Sequence, residues 1–412
     1  MSFRKEALTS AMVEKAIASR SRGVEWSGIR TISSMLRKIK EGAIWLSIGQ
    51  PDFDTPEHIR TAAKEALDEG YTRYPPAKGF DDLRQAIAMK LKTRNNLIVD
   101  PDSEVFVSSG AMHAIFNTVL QLVEPGDEVI VVDPGYDYYS QIRLFGGTPV
   151  PVTAHEENKY KVDPADIKKA VTDKTKLLIL NTPANPTGAF LEKAIILEIA
   201  KIAMEHGVYV LSDEAYEDMV FDGEHFSIGS VDGMKDLTVS VFTFSKSYAM
   251  TGWRVGYLTA NKVIVDEMEK LMEHMLSGVS SVSQRAALAA LKGPQDCIGE
   301  MVGAYRERRD LVCKLLCEID GISCVVPEST FYAFPNVSKI CGNSWDLARH
   351  IIAEQKVGTV PGSIFGTNGE AHLRISYASS ADNLREGLSR VKTAIESFRS
   401  KSCATGISRA VA

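Results

Sequence analysis

The sequence predicts an α/β protein, in which a large domain with a mainly parallel central sheet flanked by helices carries a smaller α+β domain. Three observations lead there. Short apolar runs rich in Val, Ile and Leu alternate with amphipathic stretches from about residue 50 to 295, as in βαβ units whose strands are buried on both faces. Three of these runs, Glu128-Val-Ile-Val-Val-Asp133, Lys176-Leu-Leu-Ile-Leu-Asn181 and Val208-Tyr-Val-Leu-Ser-Asp213, end at a polar residue. Open α/β sheets gather ligands at the carboxyl ends of their strands, so one rim is marked as the site. After Leu291 the breaker Lys292-Gly-Pro-Gln-Asp296 interrupts the pattern, and a domain boundary is expected there. The predicted division is 1–49 (an arm and part of the small domain), 50–295 (the large domain) and 296–412 (the small domain).

At 412 residues the chain can bury a substantial core, and more than one domain is expected. Apolar residues make up 44% and charged residues 24%, as in ordinary globular proteins. A net charge of −6 gives no basic footprint for nucleic acid. No apolar run reaches the roughly 20 residues that span a bilayer, and Met1 to Gly23 shows no secretory signal pattern. The six cysteines all lie in the last third; Cys313 and Cys317 are spaced for one helix face, but no second pair completes a zinc set. Reduced thiols in a cytoplasmic protein are expected.

Taken in chain order, residues 1–26 read as an exposed helical arm. Ser108-Ser109-Gly110-Ala111-Met112 precedes a helical pattern beginning near His113. It is either an ordinary βα turn or a helix start whose free N–H groups hold a phosphate. Asp133-Pro-Gly-Tyr136-Asp-Tyr-Tyr139 puts three tyrosines past a strand end, packed at a domain seam or with one stacked on a flat ring. Asn181-Thr-Pro-Ala-Asn185-Pro186-Thr-Gly188 is turn chemistry, although Asn185 could also bond a ring hydroxyl. Asp213 ends its strand either as a salt-bridged residue or as the partner of a protonated ring nitrogen, with Tyr216 three positions on. In Thr243-Phe-Ser-Lys246-Ser-Tyr-Ala-Met-Thr-Gly-Trp-Arg254-Val-Gly256, small and apolar flanks set Lys246 apart from a surface lysine. A desolvated lysine is a neutral nucleophile that forms Schiff bases with aldehydes such as pyridoxal phosphate (PLP). Arg254 and nearby hydroxyls suit a phosphate. A long helix is expected from about Asp296 to Ile319. Arg374, in His372-Leu-Arg374-Ile-Ser-Tyr377, is a surface residue or a bidentate carboxylate ligand. A last amphipathic stretch runs from Ala381 to Arg399, and the tail after Lys401 is expected to fray.

Together these residues resemble the class I aminotransferases of PLP fold type I, most closely the bacterial and archaeal aspartate and aromatic branch. Ser27-Gly-Ile-Arg30, Ser47-Ile-Gly49-Gln-Pro-Asp-Phe-Asp-Thr-Pro56, Tyr71-Thr-Arg-Tyr74-Pro-Pro-Ala-Lys-Gly79 and Pro125-Gly-Asp-Glu-Val-Ile130 match family segments as well. The resemblance implies that Lys246 holds PLP as a Schiff base and later moves the substrate Cα proton. It implies that Asp213 pairs with the pyridine nitrogen, that Tyr216 and Asn185 contact the ring hydroxyl oxygen, and that Tyr136 stacks on the ring. Arg254, Thr243, Ser245 and the amides of Gly110, Ala111 and Met112 would hold the phosphate. Tyr74 would reach the phosphate of a partner subunit, which implies a homodimer with shared active sites. Arg374 would bind the substrate α-carboxylate, with Gly49 and Asn185 nearby.

The chain departs from the family pattern at four places, one of them His113, which replaces a common glutamine and is expected as a helix residue beneath the site. Thr243 stands where Ser or Gly is usual and keeps a hydroxyl. Met112 stands where some relatives that use acidic substrates carry a lysine, which favours apolar or aromatic substrates. Ser329-Thr-Phe-Tyr332 replaces Gly-Ala-Phe-Tyr beside the expected substrate pocket. The expected activity is ping-pong transfer of an amino group from an L-amino acid to a 2-oxo acid such as 2-oxoglutarate. The alternative is a specialised PLP reaction on the same fold (elimination, cyclisation or oxidation), since fold alone does not fix function. A transcriptional regulator with an aminotransferase-like domain would need a basic helix-turn-helix ahead of Ser27, and 26 residues are too few for one.

Overall fold

The large sheet aligns its strand ends by register. A computed structural model describes residues 10–404. Its strands are β1 (Val105–Ser108), β2 (Glu128–Asp133), β3 (Thr148–Thr153), β4 (Thr175–Asn181), β5 (Tyr209–Asp213), β6 (Thr238–Thr243) and β7 (Gly256–Thr259), in the spatial order β1-β7-β6-β5-β4-β2-β3. The pairs from β6 across to β3 are parallel. Asn181 lies opposite Asp213, and Asp213 opposite Val241. The polar residues that end β4 and β5 therefore share one rim, with Thr243 ending β6 beside them.

One strand departs from the simple parallel pattern. β7 runs antiparallel to both neighbours, with Gly256 opposite Thr243 and Ser108. The connection from β6 holds a four-residue helix, Phe244–Ser247. β3 forms the edge and carries Pro149 and Pro151, which a central strand would not accommodate.

Alternation within the strands feeds two apolar layers. Val131, Leu177, Ile179, Leu211 and Val241 join one core cluster, and Ile130, Leu178, Leu180 and Val210 the other, as the two-residue period of a strand requires. Each such side chain taken fully out of water contributes about 1.5–3 kcal/mol. A third cluster unites the helices Gly28–Arg37, Asp296–Cys317, Ser344–Gln355 and Ala381–Ala404 with Leu373–Ser376 and Tyr332–Ala333 of a small sheet, whose third strand, Val360–Pro361, adds Val360 to the layer of Ile130 and Val210. Ala215 and Tyr216, just past β5, belong to this third cluster, so the rim of the large sheet faces the smaller sheet. Ile44–Trp45 pairs with Val357–Gly358, which brings residues 47–50 to the same rim.

Several local expectations are revised. The helix placed near His113 begins at Ala111, and the one expected to reach Ile319 stops at Cys317. Cys313 is buried and Cys317 exposed, so they do not share one environment. The described part of the arm contains Ser10–Ala16 and Ser19–Arg22, and its side chains from Val13 to Trp26 are exposed. The first nine residues of the arm, and the tail from 405 on, lie outside the described residues. Among the described residues no helix is long and apolar enough to cross a membrane.

The carboxylate of Asp133, at the end of β2, fastens the loop that leads to Arg374. It accepts hydrogen bonds from Thr367 N and Thr367 Oγ1, both at 3.0 Å, and from Asn368 N at 3.2 Å. Gly366 has φ +115°, and a Cβ there would lie 2.2 Å from Asp133 Oδ1. Gly366→Ala is expected to cost on the order of 2 kcal/mol, read as a lower midpoint in urea unfolding.

Candidate active site

The rim encloses a cavity of about 700 Å³ that opens between the large sheet and the smaller layer. Gly49, Ala111, Met112, Tyr136, Asn185, Asp213, Tyr216, Thr243, Ser245, Lys246, Arg254 and Arg374 all line it. Two predicted residues do not: Tyr74 is 89% exposed and lies away from the cavity, and Gly110 sits just behind the lining.

Lys246 rises from the helix Phe244–Ser247, where the Thr243 hydroxyl accepts a hydrogen bond from Ser245 N and caps the first turn. Its Nζ donates to Gly49 O at 2.6 Å. The side chain is open only to the cavity. Burial, then the charges of Arg374 and Arg254, lower its pKa to about 7, against a smaller opposing effect of Asp213. A large share of this amine is neutral at physiological pH.

Asp213 is buried. Its Oδ2 accepts from the Tyr138 hydroxyl at 2.7 Å and its Oδ1 from Ala215 N at 3.2 Å. Burial raises its pKa, and those two hydrogen bonds oppose the rise. The Tyr216 hydroxyl meets that of Tyr332 at 2.8 Å. Tyr136 packs 5.5 Å from Tyr138, ring to ring, and burial pushes its hydroxyl up to about 12.

Arg374 is 1% exposed, on Leu373–Ser376. Nη1 donates to Asn185 Oδ1 at 3.0 Å and Nη2 to Ser47 O at 2.7 Å. Asn185 N in turn donates to Asn181 Oδ1 at 2.9 Å. The buried Nε of Arg374 has no hydrogen-bond partner, and among the described residues no carboxylate pairs with this guanidinium. A buried, uncompensated cation of this kind favours an anionic ligand.

Across the cavity, Arg254 donates from Nη1 to Thr251 O at 2.9 Å and from Nη2 to Ser109 O at 3.2 Å. A Cβ on Gly110 would lie 2.4 Å from Arg254 Nη2, so only glycine leaves room for the guanidinium. The amide expected of Gly110 is already used, because Gly110 N donates to Ser108 O at 2.8 Å. Ala111 N and Met112 N, in the first turn, have no intrahelical acceptor. His113 lies behind them: Ser109 N donates to its Nδ1 at 3.2 Å, and burial lowers its pKa.

The residues fit the expected cofactor. A partly neutral amine, a buried carboxylate without a cation partner, and an arginine beside free helix-start amides match the aldehyde, ring nitrogen and phosphate of PLP. The sequence marked the segments that hold Tyr138, Tyr332, Asn181 and Ser47 without assigning these four residues their hydrogen-bonding parts. It also placed Ser329 and Thr330 beside the pocket. Both are fully buried behind it, and Ser329 Oγ donates to Gly188 O at 2.8 Å.

Known proteins resemble the chain over nearly its whole length. The family described as Aminotransferase class I and II matches residues 41–391. An aspartate aminotransferase of Pyrococcus abyssi is 41% identical over 92% of this chain and 97% of its own. An aromatic-amino-acid aminotransferase of Thermococcus litoralis is 40% identical over 92% and 98%. The solved structure of a Thermus thermophilus aspartate aminotransferase with maleate superposes with a TM-score of 0.88 at 35% identity, covering 92% of this chain and 99% of that one.

Proposed function

The chain belongs to the class I and II aminotransferases, and on that premise we propose that it moves the amino group of an L-amino acid to a 2-oxo acid such as 2-oxoglutarate in a ping-pong cycle. It is a PLP-dependent transaminase of PLP fold type I. The finer reading is that apolar or aromatic amino acids are preferred to acidic ones. Ile29, Ile48, Met112 and Ile115 line the cavity, and a thioether at position 112 offers no charge to an acidic side chain. One observation carries the proposal: a lysine with pKa about 7 and a buried arginine without a carboxylate partner line the same cavity.

When bound, PLP supplies an electron sink for negative charge at the substrate Cα. Lys246 would hold the cofactor covalently. Once displaced, its neutral Nζ would take the Cα proton as general base. Asp213 would keep a proton on the ring nitrogen, with Tyr138 holding the carboxylate in place. Tyr216 and Asn185 would face the ring hydroxyl oxygen, and Tyr136 a ring face. Arg254, Thr243, Ser245 and the amides of Ala111 and Met112 would bind the phosphate, with Gly110 leaving room for Arg254. Arg374 would orient the α-carboxylate beside Gly49 and Asn185. The exposure of Tyr74 suits a homodimer in which it completes the partner's site. The free cysteines suit a cytoplasmic protein, and the proposed division stays 1–49 with 296–412 and 50–295, with core clusters that join across it: Ala215 and Tyr216 pack with the small domain, and Val360 and Phe365 with the large one.

Initial rates test this reading. With 2-oxoglutarate at several fixed levels, parallel double-reciprocal lines are expected, and intersecting lines would exclude the ping-pong order. Phenylalanine or leucine should give a higher kcat/KM than aspartate; the reverse order would overturn the donor preference.

The lysine pKa gives a pH dependence for cofactor capture. Below pH 7 Nζ is mostly protonated and cannot attack an aldehyde; above it the amine is mostly neutral. The rate at which protein stripped of cofactor regains PLP should therefore rise with pH and level off above about 7. A rate still climbing steeply toward pH 10 would mean an ordinary solvated lysine.

A further inference from the structure

The chain turns sharply after β5, and the turn sorts its side chains. Glu217 N donates to Glu214 O at 3.1 Å, and Met219 N to Tyr216 O at 2.8 Å. Asp213, Ala215 and Tyr216 line the cavity. Glu214 and Glu217 instead enter a buried polar cluster that the proposed function does not use. Glu214 Oε2 lies 2.7 Å from His225 Nε2 and accepts a hydrogen bond from the Ser227 hydroxyl. Glu217 pairs with Lys90, from the helix Asp81–Arg94, and accepts from Asn95 Nδ2 at 2.7 Å. Asn95 Nδ2 also donates to Ser227 Oγ at 3.0 Å, so both carboxylates belong to one network. Lys90 Nζ lies 4.6 Å over the Phe242 ring of β6, which closes the cluster against the sheet.

Buried charges of this kind are tolerated only when they balance. Asp213, Glu214 and Glu217 place three carboxylates in one turn. Asp213 faces the cavity and Glu217 has Lys90, which leaves His225 to balance Glu214. The charged groups that face His225 are Glu214 and Glu217, from the turn, and Lys90, from the helix. Burial disfavours the imidazolium, but the hydrogen bond and charge of Glu214 outweigh it and raise the His225 pKa. At Asp213, burial and to a smaller extent the charge of Glu214 raise the pKa. We propose that His225 is a positioning residue: through Glu214 it fixes the turn that carries Asp213 and Tyr216, and its positive charge keeps Glu214 from weakening Asp213 as partner of a protonated ring nitrogen. The assignment rests on the PLP-dependent transaminase reading above.

The test uses the PLP-loaded wild type, His225→Gln, Glu214→Gln and the double variant Glu214→Gln/His225→Gln. The visible band of the bound cofactor is titrated with pH, with no amino acid present, and urea unfolding reads stability separately. His225→Gln keeps a donor for Glu214 but no charge. The negative charge left behind Asp213 favours protonated groups at the cofactor, so the band midpoint should rise by about 0.5–1 pH unit. PLP should be held about three- to tenfold less tightly. In Glu214→Gln the midpoint should stay or fall, and in the double variant it should return toward the wild-type value. A lower urea midpoint in His225→Gln with an unchanged band midpoint would mean packing alone and overturn the assignment. So would a rise of equal size in His225→Gln and Glu214→Gln. Should His225→Gln fail to fold, the double variant decides: without either charge it should fold and keep the wild-type band midpoint, and a raised midpoint or failure to fold there would overturn the assignment. Failure of the transaminase reading looks different: the wild type would bind no PLP, or would show the band and its titration but pass no amino group to any oxo acid.

Discussion

Lys246→Ala is expected to abolish transamination, with kcat falling at least about 10⁴-fold. The change removes both the covalent anchor and the base that moves the Cα proton, and a positioned general base alone contributes about 10²–10⁴. The cavity around the lost side chain stays polar and enclosed. Tyr138 still holds Asp213 at 2.7 Å, and Arg254 still bonds Thr251 O and Ser109 O. The variant should therefore fold and retain PLP by the remaining contacts, but release it on dialysis faster than the wild type. A coupled assay for 2-oxoglutarate consumption, together with cofactor retention, checks both halves. A variant that keeps more than about 1% of wild-type kcat would mean that another group serves as base.

The second large effect is expected from Arg374→Leu. Its guanidinium is buried and unbalanced, and two of its donors are already committed to Asn185 and Ser47. Losing one partner of a buried charged pair costs roughly 2–5 kcal/mol, which is about 30- to 4,000-fold in kcat/KM. The loss should appear with every donor and every oxo acid, because all of them carry the α-carboxylate. Arg374→Lys should recover little, since an ammonium cannot keep both existing bonds and still offer a flat pair of donors. Steady-state kinetics with one apolar donor and two acceptors would show it. A loss confined to one acceptor would contradict the role given to Arg374.

Lys246 was legible in the sequence, because apolar strands running into Asn181 and Asp213, together with the small and apolar flanks of the lysine, mark one rim of the sheet, whereas Arg374 stayed open between a surface residue and a carboxylate ligand until the family resemblance gave it the second role. Short continuous apolar runs show where a strand ends, and strand ends in parallel sheets gather ligands. The antiparallel direction of β7 was not legible, since nothing in the composition of Gly256–Thr259 distinguishes it from a parallel strand. The hydrogen bonds that orient the site were also out of reach. Tyr138 meets Asp213 across 75 positions, Tyr216 meets Tyr332 across 116, and Arg374 finds the carbonyl of Ser47 across 327. A backbone carbonyl has no side-chain signature, and two adjacent tyrosines on one loop look alike until the fold decides which of them faces the carboxylate. The Gly110 amide shows the same limit: the sequence expected it to face a phosphate, whereas Gly110 N bonds Ser108 O and a Cβ there would crowd Arg254, a contact between the ends of β1 and β7.

The central claim is that Lys246, Asp213 and Arg374 form one transaminase site, and the visible spectrum of the purified, PLP-loaded protein tests it most directly. A yellow band is expected that bleaches when a suitable L-amino acid is added without acceptor, and that returns when 2-oxoglutarate follows. A band that no amino acid in a broad panel bleaches, or a protein that retains no PLP after incubation with it, would contradict the account.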